Sequence, residues 1–148
     1  MKRLLLILLS LMAIPIFVGC SAQSQEPFSQ LNMDEADQEV KQFVQRVEEN
    51  GIYLFGNKLD ADQYYVLLDG VDRKKKKEHI YFKDVYAEIQ DGTLKIFYSE
   101  ASESQAGQNQ LLFKIDKNQF QQEYDNIKLF KDNQDTDFTS IVVQGETT

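Results

Sequence analysis

Cys20 is the chain's only cysteine, and Gly19 precedes it directly. A thiol is a potent nucleophile once ionised, so this one sulfur is the first place to look for chemistry. A single Cys excludes an intramolecular disulfide, and with a single His it excludes a Cys/His zinc site. His79 stands beside Glu78, but no Gly-x-Ser-x-Gly turn or other nucleophile motif supplies it with a partner. Glu100 and Glu103 sit in a polar stretch and form no glycosidase pair. Asp132-Asn133-Gln134-Asp135-Thr136-Asp137 is rich in oxygens, yet it lacks the glycine and the terminal Glu of a calcium loop and reads as a polar turn between strands. The glycines are scattered singly, so no phosphate-cradling loop is present and no cofactor is expected. These residues assemble no catalytic constellation.

Two clusters point to contact rather than reaction. Arg73-Lys74-Lys75-Lys76-Lys77 is an unbroken cationic run. It suits an anionic surface, either lipid head groups or an acidic wall polymer; the plainer reading is a solvated loop that keeps neighbouring strand edges soluble. Tyr86 and Phe97 fall on one side of a predicted hairpin, and Tyr65 adjoins Tyr64, so that one of that pair must turn away from the core of its sheet. Tyr86, Phe97 and Tyr65 are the candidate binding patch if nothing covers them.

The start of the chain reads as an address. Met1-Lys2-Arg3 is positive, Leu4–Val18 is almost wholly apolar, and Gly19-Cys20 follows, the order of a secretory signal. The apolar run is short for a spanning helix of roughly 20 residues. Phe17-Val18-Gly19-Cys20 resembles the lipobox of bacterial lipoprotein precursors, with Phe17 where that family usually has Leu. The resemblance implies cleavage before Cys20, a thioether-linked diacylglycerol on its sulfur, and a chain held on the extracytoplasmic face of the cell membrane. Two acyl chains anchor stably where one does not.

Removing residues 1–19 takes away Lys2 and Arg3 and no acid, leaving 14 basic against 24 acidic residues, a net charge of −10. That balance argues against nucleic acid as a partner. Without disulfides the domain must build an apolar core, and the sixteen aromatics that remain once Phe17 is lost offer material for one.

The elements that would position these residues follow from pattern. Residues 20–31 read as lipidated Cys and flexible tether, 32–144 as one globular domain, and 145–148 as a frayed tail. Asn32–Asn50 predicts a helix. Asn32 and Glu35 approximate a capping box, Ala36, Val40, Phe43, Val44 and Val47 make one stripe, and Gly51 suits the left-handed position after the end. Ile52–Phe55, Gln63–Leu68, Ile80–Phe82 and Gln110–Ile115 predict strands. Asp91-Gly92 predicts a type I′ hairpin that pairs Gln90 with Thr93, Ile89 with Leu94, Glu88 with Lys95, Ala87 with Ile96, Tyr86 with Phe97 and Val85 with Tyr98. A last hairpin is expected between Ile127–Phe130 and Phe138–Val143 across Lys131–Asp137. The fold expected is mainly β, a small antiparallel β-sandwich or curled sheet with one N-terminal helix, the alternative being an α+β arrangement with the helix packed on an antiparallel sheet. The mature domain is similar in composition to small Gram-positive lipoproteins of unassigned activity. Two functional readings follow. One is a non-catalytic binding or assembly module with an envelope protein or polymer as partner. The other is a small envelope hydrolase or an accessory subunit of a processing enzyme.

Overall fold

The computed structural model describes residues 26–56, 62–74, 79–101 and 107–143. Cys20, Lys75–Lys77, Glu78 and Glu103 lie outside them, as do the signal and the tail. The chain is mainly β, with one helix and two mixed sheets. The strands are β1 Phe28–Gln30, β2 Gly51–Gly56, β3 Gln63–Asp69, β4 Tyr81–Gln90, β5 Thr93–Ala101, β6 Gln110–Asp116, β7 Asn126–Lys131, β8 Gln134–Thr136 and β9 Ser140–Val143; the helix, α1, is Gln38–Arg46. Five strands form one sheet in the order β1-β6-β3-β2-β9, and four form the other in the order β4-β5-β7-β8.

The strand sequences record which sheet has two covered faces. Ile52, Leu54, Val66, Leu68, Leu111, Phe113 and Ile115 point between the sheets and meet Leu94, Ile96, Tyr98 and Leu129. The alternate residues Tyr53, Phe55, Tyr65, Leu67 and Leu112 point outward and are covered by Ala36, Val40, Val44 and Val47. The five-stranded sheet is therefore buried on both sides, and β2, β3 and β6 are nearly continuous apolar runs. β4, β5 and β7 alternate instead, apolar toward the other sheet and mixed outside.

Several expectations are corrected. The helix is shorter than its stripe: Met33–Glu35 forms a 3-10 turn, Asn32 makes no side-chain cap, and α1 begins after Asp37. Asp37 takes the capping position, but its carboxylate accepts instead from the Tyr65 hydroxyl at 3.3 Å. Gly51 does not follow the helix end; it opens β2, where a Cβ would fall 2.2 Å from the Thr139 hydroxyl. Residues assigned to the tether form β1: Phe28 stacks on Phe113 with centroids 4.6 Å apart, and the Leu31 N–H donates to the Leu112 carbonyl at 2.8 Å. One aromatic anchor in a polar stretch was enough to add an edge strand.

The Asp91-Gly92 turn forms with φ of 52° and 69°, and the pairs from Gln90↔Thr93 to Tyr86↔Phe97 stand as expected. Val85 does not pair squarely with Tyr98, because a bulge at Asp84, whose φ is 53°, inserts one residue and Lys83 faces Ser99. The last hairpin is different. Asp132 and Asn133 both take positive φ, so β7 turns back tightly into the polar β8. Ser140–Val143 leaves that sheet and runs parallel to β2 in the other.

Candidate binding face

The hairpin places Tyr86 opposite Phe97, and the parallel pairing of β5 with β7 places Phe97 beside Phe130. The rings stack in one row across three strands, with centroids 4.8 and 5.0 Å apart and planes within 10° and 23° of parallel. Those separations match the spacing between strands, so each ring stands on the sheet with its faces against its neighbours. The row ends at β4, where the outer face of Tyr86, 47% exposed, is free. α1 covers the other sheet, and no described element covers this one.

Charged residues frame the row. Glu88, Lys95 and Lys128 line up beside it across β4, β5 and β7. The Lys95 ammonium lies 5.7 Å from the Phe130 ring centre. Lys128 donates to Asp135 at 2.9 Å, and that hydrogen bond raises its pKa above the ordinary lysine value. A strip of this kind can hold an apolar or aromatic group while polar rims fix its orientation. Among the described residues no three His, Cys, Asp or Glu side chains gather to hold a metal.

The other sequence candidates are placed elsewhere. Tyr65 is removed from the patch: at 2% exposure it is packed beneath α1 beside Phe55. Tyr64, its neighbour, turns toward the core between the sheets. Arg73 is engaged in structure. Its guanidinium donates to the fully buried Asp69 carboxylate at 2.8 Å and to the Val47 carbonyl at 3.2 Å, and its own N–H donates to the Glu48 carbonyl at 3.0 Å. Asp69 also accepts from the Val71 N–H and the Gln110 amide. Lys74 reaches Glu48 at 2.7 Å, and that contact raises its pKa. Lys75, Lys76 and Lys77 fall outside the described residues. His79 meets the Asn109 side-chain amide at 3.2 Å on the surface, and Glu100 accepts from Lys131 at 2.6 Å.

Two features were missed in the sequence. Phe130 joins the row only through a parallel pairing after a long connection, which no local pattern encodes. A groove of about 710 Å³ runs between β1 and β4, lined by Pro27, Phe28, Val85, Tyr86, Ala87 and Phe113, among others. It disappears from view if β1 is read as tether.

No protein-family model, curated protein or solved structure matches this chain.

Proposed function

We propose that this chain is a lipid-anchored lipoprotein on the extracytoplasmic face of the cell membrane, acting there as a non-catalytic binding or assembly module. The lipobox-like leader ending at Cys20 supports the anchor. The observation that carries the binding role is the stacked row Tyr86–Phe97–Phe130, left uncovered on a domain whose other sheet face is sealed by a helix. Aromatic surface of this kind, exposed at Tyr86 and half-buried at Phe97 and Phe130, marks a contact site for a protein or polymer of the envelope.

The anchor also sets a geometry. With β1 starting at Phe28, the seven residues between Cys20 and Phe28 reach no more than about 25 Å. Phe28 pairs with Ile115, at the end of the five-stranded sheet where β3 begins, whereas Arg73 follows the far end of β3. The cationic run therefore starts at the end of the sheet away from Phe28, where the anchor enters, which fits an acidic wall polymer better than head groups.

The test is photo-cross-linking in intact cells with a benzophenone amino acid at Phe97 or Phe130, and at Ile141, which is 61% exposed on the other sheet, as control. Adducts to a larger envelope component from the aromatic row and none from Ile141 are expected. No adducts, or the same adducts from Ile141, would remove the aromatic face as the binding site.

A further inference from the structure

We propose that two copies of this chain join edge to edge through β4, antiparallel and centred on Ala87. β4 is an end strand of its sheet. Its turn closes at Gln90↔Thr93, so Gln90, Glu88 and Tyr86 direct their backbone N–H and C=O groups at β5. Val85, Ala87 and Ile89 direct theirs at the open edge. Beyond the bulge that edge is filled, because Phe82 exchanges hydrogen bonds of 2.7 and 3.0 Å with Gln108. Among the described residues nothing does the same for Val85, Ala87 and Ile89. An open row of this length is a template for another strand, and the apolar groove beside it gives that strand's inward side chains somewhere to sit.

The sequence of the edge selects a second copy as the occupant, and it selects one register. Centring a two-fold pairing on Ala87 sets Val85 against Ile89 of the second copy and Ala87 against Ala87, each pair exchanging both backbone bonds. Tyr86 then meets Glu88, and Asp84 meets Gln90. Lys83 is carried toward the end holding Asp91 of the second copy. Shifting the centre to Tyr86 would put Asp84 against Glu88. Shifting it to Glu88 would put Glu88 against itself. Like charges directly opposite each other are destabilising, so of these three centres only Ala87 pairs the edge without conflict; a centre on Ile89 would run into the Asp91-Gly92 turn, and one on Val85 into the edge already filled at Phe82. The joined sheet would run from β8 of one copy to β8 of the other, with Tyr86 at its middle. This inference does not depend on the lipid anchor.

Disulfide trapping of the full chain in detergent tests it, with Cys20→Ser leaving a single introduced thiol. In the Ala87 register the two Ala87 Cα atoms lie about 5.5 Å apart, within the span of about 4.4–6.8 Å that a disulfide bridges. Ala87→Cys should therefore give a covalent dimer on mild oxidation. Val85→Cys and Ile89→Cys should each give none alone and should give one when mixed. No dimer from Ala87→Cys, or equal dimers from all three variants, would overturn the proposal. Sedimentation of the Cys20→Ser chain, with and without Ala87→Pro, guards against a folding defect. Proline there removes an outward N–H and leaves the β5 ladder intact. The dissociation constant should rise at least tenfold with Ala87→Pro, and a parent that stays monomeric at every concentration would refute the pairing.

Discussion

Arg73 acts at a helix end. Backbone carbonyls at and just past a helix end need partners outside the helix, and here Arg73 takes those of the capping Val47 and of Glu48 beyond it, while the Tyr53 hydroxyl donates to the Glu49 carbonyl at 2.7 Å. The same arginine neutralises the buried Asp69. Arg73→Ala should therefore destabilise the domain by about 2–3 kcal/mol, the cost of leaving a buried charge with one strong bond fewer; Arg73→Lys should recover part of that in urea unfolding. A second outcome concerns alkali. Burial, then the carboxylates of Glu100 and Asp132, push the Tyr98 phenol from 10.0 up to about 12. Burial does the same to Tyr124, whose hydroxyl has no hydrogen-bond partner among the described residues. A phenol whose folded pKa lies above its unfolded one contributes stability below the unfolded value of 10.0 and loses it as pH climbs toward about 12. Tyr98→Phe and Tyr124→Phe should each move alkaline unfolding, followed by circular dichroism, to higher pH. An unchanged midpoint would mean that these phenols ionise without opening the fold. The residue-level roles were only partly legible. Five consecutive cations look like one surface, and nothing local reveals that the first of them completes a helix terminus 26 positions upstream.

Most elements were readable as elements, but their pairing was legible only where the partners lie close in sequence. The Asp91-Gly92 hairpin follows from turn chemistry and alternating side chains, and its register holds until the bulge at Asp84. Replacing Asp91-Gly92 by Ala-Ala should cost about 1 kcal/mol or more, because both positions need positive φ; an unchanged denaturation midpoint would contradict the turn. The short strands β1 and β8 are polar in composition because they are edges, so hydrophobic pattern alone hides them. The destination of β9 depends on a parallel pairing with β2, across most of the chain. β1 also changes where the folded unit starts. A fragment beginning at residue 32 lacks the Phe28–Phe113 stack and should unfold at lower temperature than one beginning at residue 26; equal melting temperatures would mean that β1 adds nothing to the core.

As a whole, the molecule is a two-sheet domain with a helix on one outer face and an aromatic row on the other. Its faces were half legible. The helix stripe announced that one surface would be covered, but the choice between the Tyr65 side and the Tyr86 side depends on which sheet receives the helix, and that is settled by long-range packing. The proposed role joins this bare face to an anchor at the opposite end of the tether. With residues 1–19 removed, 14 basic against 24 acidic residues would remain and an anionic bilayer would repel the domain as a whole, so on the proposed reading it is a lipid on Cys20 that keeps it at the membrane. The most direct measurement is incorporation of labelled fatty acid by cells producing the full chain or its Cys20→Ser variant, with fractionation of both. Label and membrane retention are expected for the parent, and for the variant an unlabelled chain that stays as precursor or is released. Label persisting in Cys20→Ser, or no label in the parent, would contradict the lipid anchor.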